Sequence, residues 1–200
     1  MFAGSTLLLD VGTQGDLWPG GAWPLVDAEA AARIAELCAL ARELSIRHGG
    51  VVCRHEMSPP GLPRHCGRGE RGATRVADCA PALPVRIVDA DTPPADLARS
   101  HALYLATGCQ TAVDAAPAPR AAFDVLTAGV RDAVVCGAGL ELGVAHVVEA
   151  LLARRVRTHL ALDATAVVDA VCAQEMLARW KRRLVDVATS ATLARMLRRG

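Results

Sequence analysis

Asp10 closes the apolar run Thr6-Leu7-Leu8-Leu9, and a carboxylate ending a buried strand is the first residue of this 200-residue chain placed to move a proton. Two later segments, Thr107 to Asp114 and Cys136 to Gly143, also end strands in polar or glycine-rich sequence. Ligands of parallel sheets sit beyond the carboxyl ends of the strands, so the three segments are expected to converge on one pocket. The seven cysteines include no C-x-x-C pair and imply neither a disulfide framework nor a zinc ribbon. Lys181 is the sole lysine, so a catalytic ammonium is either Lys181 or absent.

The elements that must hold these residues alternate between short β-branched or Leu-rich runs and helical patterns. Strands are expected at Thr6–Leu9, Val51–Cys53, Val85–Val88, Ala102–Leu105, Ala133–Cys136, Thr158–Leu162 and Leu184–Val187. Ile34, Leu37, Cys38, Ala41 and Leu44 fall on one helical stripe that Asp27 can cap and Gly49-Gly50 can end. A second stripe follows Gly143, a third runs from Met176 to Leu184, and Thr189-Ser190 can cap a terminal helix. His55 to Pro84 has no periodicity and reads as the wall or lid of a site. The expected fold is an α/β three-layer sandwich, a central and mainly parallel sheet flanked by helices, as one domain over residues 1–200.

A net charge of +1 gives no field for nucleic acid or an anionic membrane, so a small-molecule partner is expected. No apolar run reaches the roughly 18 residues of a bilayer span, and the N-terminus lacks a basic flank, which reads as cytoplasmic. Taken alone, Ala133 to Gly143 is a strand, a Gly-x-Gly-x-x-x-Gly turn and a helix, with Asp163 downstream. That pattern suggests nucleotide binding at Gly137, Gly139 and Gly143, although little chain remains for a full nucleotide fold.

Leu7 to Val11, the run Gly15-Asp-Leu-Trp-Pro-Gly-Gly21, Val51 to Arg54, His65-Cys66-Gly-Arg-Gly-Glu-Arg-Gly-Ala73 and Arg131 to Asp163 follow one another in an order that resembles the isochorismatase-like hydrolase superfamily, the nicotinamidases and their relatives. The resemblance implies that fold, assembly as oligomers, and an amidase apparatus of Asp, Lys and nucleophilic Cys. Asp10 matches the Asp, whereas Thr107 stands at the Lys position and Gly143 at the Cys position. Isochorismatases also carry glycine there and cleave an enol ether by protonating a vinyl carbon, a reaction that needs an acid and no thiol. Without a neighbouring ammonium, the Asp10 pKa is expected to rise. Gln14 lies two residues later than the family's usual Gln; with Trp18, Ala138, Gly139 and Glu141 it is expected to border the substrate. The family's metal site uses an Asp-x-His pair and a further His; His55 and Met57 occupy the pair and His65 reads as packing, so neither metal nor cofactor is expected.

Three functions follow: a small-molecule hydrolase using Asp10 without a cysteine nucleophile, a catalytically degenerate relative that binds a ligand or partner subunit, and a nucleotide-binding protein.

Overall fold

The computed structural model describes residues 5–56, 61–93, 101–108 and 111–199. Seven strands form one sheet: β1 (Thr6–Val11), β2 (Arg47–Cys53), β3 (Val85–Val88), β4 (Ala102–Thr107), β5 (Asp132–Gly137), β6 (Arg157–Thr165) and β7 (Asp186–Ala188). Their order is β3-β4-β2-β1-β5-β6-β7 and every pairing is parallel, as expected of a sheet whose strands are joined by helical crossovers. The helices are α1 (Ala28–Glu43), α2 (Pro117–Thr127), α3 (Ala145–Ala153), α4 (Ala170–Arg182) and α5 (Ser190–Arg199).

Alternation along β1 divides the core. Leu7, Leu9 and Val11 pack with residues of α2, α3 and α4, while Leu8 packs with α1 and with Leu193 of α5. Asp27 caps α1 as expected, its side chain accepting from Ala30 N at 2.7 Å. Asp169 caps α4 in the same way, through Val171 N and Cys172 N.

Gly49-Gly50 does not end α1. The helix stops at Glu43, Ser45 turns the chain in the left-handed region, and both glycines lie inside β2. The reason is steric. A Cβ on Gly49 would sit 2.7 Å from Leu103 O, and one on Gly50 would sit 2.0 Å from Asp10 O and 2.8 Å from Tyr104 Cε1. The missing side chains let Tyr104 reach across β2 to Asp10. Two other boundaries differ from the sequence reading. α2 begins on Pro117, which suits the first turn of a helix, in a stretch where no helix is expected from the sequence. Leu184 is a left-handed, 85% exposed turn residue and not the start of β7.

Candidate functional site

At the carboxyl ends of β1, β2, β4 and β5 lies a cavity of about 30 Å³ lined by Gly12, Trp23, Cys53, His65, Thr107, Ala138, Leu142 and Gly143, among others. Space of that size holds one or two waters. Thr107, Ala138 and Gly143 thus meet, as their strand ends predict. Asp10 does not join them. It points the other way on β1, with Leu8, into the layer beneath α1, and is fully buried. Gly12, two residues before Gln14, is among the residues that line the cavity. Gly12 has φ of +62°, and a Cβ there would lie 3.0 Å from Leu17 Cδ1 and 3.1 Å from Ala138 Cβ.

Around Asp10 the chain builds a closed polar network. Arg75 Nη2 donates to both carboxylate oxygens, at 3.0 and 3.2 Å, and Tyr104 donates its hydroxyl at 2.5 Å. His48 Nε2 lies 2.7 Å from Oδ2, and Thr13 donates its hydroxyl to Oδ1. The Arg75 guanidinium stacks over the Tyr104 ring at 3.9 Å. Burial pushes the Asp10 pKa up, but the His48 hydrogen bond and the Arg75 charge outweigh it and hold the carboxyl below its usual range. The rise expected from a missing lysine does not occur, because Arg75 supplies the cation from the His55 to Pro84 segment. The same surroundings push the thiol of Cys136 upward, first by burial and then by the Asp10 charge, and it stays a neutral thiol.

A second polar cluster borders the cavity itself. Cys53 Sγ lies 2.8 Å from His55 Nε2 and 3.8 Å from His65 Nε2, and the two ring nitrogens are 3.2 Å apart. A tetrahedral zinc ion would set N···N near about 3.3 Å and N···S near about 3.6 Å, so two of the three separations match and the third needs a small opening. His65 Nδ1 contacts Pro63 O at 2.7 Å, which fixes the ring and leaves Nε2 for an ion. Burial, then the proximity of His65, lowers the His55 pKa, which keeps that imidazole in its ligating neutral form. These three residues carry the donor atoms that a borderline-soft ion such as zinc takes, a grouping the sequence reading did not assemble. Residues two apart at a strand end share a face, so Cys-x-His is a pairing the sequence already held. Met57 lies outside the described residues, as does Cys109.

The remaining expected residues make the following contacts. Gln14 ties the exit of β1 to β2 by donating to Cys53 O and Ala73 O and accepting from Cys53 N. Glu141 accepts from Val168 N and Asp169 N, bracing the turn before α4. Trp18 packs against the α1 side of the core, and Trp23, its ring tilted against that of His65 with centroids 4.5 Å apart, borders the cavity. Gly139 shapes the turn with φ of +71°, and Gly137 is pressed on β1, where a Cβ would meet Val11 O at 2.0 Å. Asp163 accepts from Ser190 N and Oγ, so the acid that a ribose would require is already engaged with α5.

No family model matches the chain and no curated protein does. Solved structures do match. PnC1 from L. infantum in complex with nicotinate is 20% identical with a TM-score of 0.68, covering 94% of this chain and 93% of that one. Pyrazinamidase of Pyrococcus horikoshii in complex with zinc is 20% identical with a TM-score of 0.66, over 92% and 99%. A candidate isochorismatase hydrolase from Oleispira antarctica is 21% identical with a TM-score of 0.67, over 95% and 96%. The fold is therefore the isochorismatase-like α/β fold, along essentially the whole length of these proteins.

Proposed function

We propose that this chain is a catalytically degenerate relative of the isochorismatase-like hydrolases, a binding protein that holds a zinc-type ion through Cys53, His55 and His65. One observation carries the reading. The three positions that converge on the cavity where the apparatus belongs are Gly12, Thr107 and Gly143, which offer no acid, no ammonium and no thiol. Trp23, Leu25 and Leu142 fill much of the remaining space, leaving a volume too small for a ring-sized substrate. A pyrazinamidase of this fold is described in complex with zinc, which supports the metal-binding reading. When bound, such an ion acts as a Lewis acid and lowers the pKa of a bound water.

Hydrolysis with Asp10 as the acid has the geometry against it. A general acid must be protonated and within reach of the substrate. Asp10 is held ionised by Arg75 and lies under the cavity floor among four partners. In the binding reading it is a structural anchor.

The test is turnover of amide and enol-ether substrates, nicotinamide and isochorismate among them, by the zinc-loaded chain. Rates at the uncatalysed background, together with stoichiometric zinc uptake, are expected. Turnover that Asp10→Asn abolishes without loss of fold restores the hydrolase reading.

A further inference from the structure

His65 enters the cluster with Cys53 and His55 from an irregular segment, so no strand or helix fixes its place. The residue after it, Cys66, is fully buried and left-handed, with φ of +49°. A side chain makes that conformation costly, and it persists only where the surroundings hold it. Two hydrogen bonds do so. Cys66 O accepts from His55 N at 3.2 Å, and Cys66 N donates to Asp16 Oδ2 at 2.7 Å. The backbone of Cys66 is thus held between His55, one residue of the cluster, and the Asp16 carboxylate, immediately beside His65, another.

Asp16 is itself closely placed. It stands in the single helical turn Gly15–Leu17 that follows β1. Gly72 lies directly on its carboxylate, since a Cβ there would fall 1.8 Å from Asp16 Oδ1. The Asp16 carbonyl accepts from Trp23 N at 2.8 Å, and the Trp23 ring is the one tilted against His65. One residue therefore anchors both of these rings, His65 through its side chain and Trp23 through its main chain. Two residues earlier, Gln14 Oε1 accepts from Cys53 N at 2.6 Å. The exit of β1 grips the segments that carry Cys53 and His65 alike.

We infer that Asp16 is a positioning residue of the ion site: through Cys66 N it sets the His65 ring against Cys53 and His55, so that the three donors stand together before an ion arrives. The inference rests on the reading of Cys53, His55 and His65 as an ion site and names the residue that preorganises it. Loss of a group that orients metal ligands typically costs about 10- to 100-fold in metal affinity.

The zinc affinity of the full chain, measured by competition with a chelator at fixed pH, tests this beside the melting temperature of the zinc-free protein. Asp16→Ala deletes the acceptor and is expected to bind zinc about 10- to 100-fold more weakly than wild type. Asp16→Asn keeps an acceptor oxygen and is expected to restore most of that loss. The decisive comparison is made in His65→Ala. There Asp16 has no ring to place, so adding Asp16→Ala is expected to change the residual affinity by no more than about twofold, whereas a merely structural role would lower it again in full. Gly72→Ala, whose methyl group displaces the same carboxylate, is expected to repeat the loss and replaces Asp16→Ala in these comparisons if that chain does not fold. Equal zinc affinity in wild type and Asp16→Ala, Asp16→Asn as weak as Asp16→Ala, or the full loss recurring in His65→Ala overturns the inference and leaves the ion site standing. A wild-type chain that takes up no zinc overturns the ion site, and the inference with it.

Discussion

Arg75 Nη2 lies 3.0 Å from Asp10 Oδ2, joining the second strand-end residue of β1 to a loop 65 residues further along the chain. The carboxylate is fully buried and the guanidinium is one-tenth exposed. Removing one partner of such a pair leaves an uncompensated buried charge and typically costs about 3–5 kcal/mol. Asp10→Asn and Arg75→Leu are each expected to lower stability in urea by that order, and the double variant by much less than the sum. Additive losses in the double-mutant cycle would mean that the pair is not coupled.

The pH dependence of that stability has a fixed sign. The Asp10 pKa in the folded chain lies below that of an unfolded aspartate, about 3.9, so the unfolded chain takes up the proton first as the pH falls. The stabilisation is complete above the unfolded value and is lost as the pH falls through the folded one. Wild type minus Asp10→Asn, measured by urea unfolding from pH 6 downward, is expected to stay constant to about pH 4.5 and then shrink. A difference that grows toward acid would show Asp10 to be protonated in the folded chain.

Tyr104 donates to the same carboxylate oxygen as His48. Tyr104→Phe removes that donor from a buried charge and is expected to cost about 1–3 kcal/mol. Gly50→Ala acts on the same contact from the backbone side, since its Cβ would sit 2.0 Å from Asp10 O. Loss of soluble protein or a melting temperature lower than that of Tyr104→Phe is expected, and a melting temperature equal to wild type would refute the close approach.

Much of this was legible in the sequence, for identifiable reasons. The strands were marked by apolar runs, and the carboxyl-end rule brought Thr107, Ala138 and Gly143 to one cavity. The register of β1 was not legible. Gly12, left-handed at φ of +62°, breaks the alternation of β1 after Val11, so it lines the cavity although it stands only two residues from Asp10, which does not. Arg75 gave no signal, because a cation in an aperiodic segment acquires meaning only when the loop folds back over β1. Gly49-Gly50 read as a helix stop because their purpose, clearance for Leu126 and Tyr104, is set by elements distant in sequence.

The cobalt(II) form of the chain, observed by absorption, reports most directly on whether the polar centre of the cavity is Cys53, His55 and His65. One equivalent of cobalt should give a thiolate-to-cobalt charge-transfer band in the near ultraviolet and the visible absorption of a four-coordinate ion. Cys53→Ser should remove the charge-transfer band while leaving the fold intact. A bound cobalt whose spectrum is the same in wild type and Cys53→Ser, or a chain that binds no cobalt at all, would contradict the assignment.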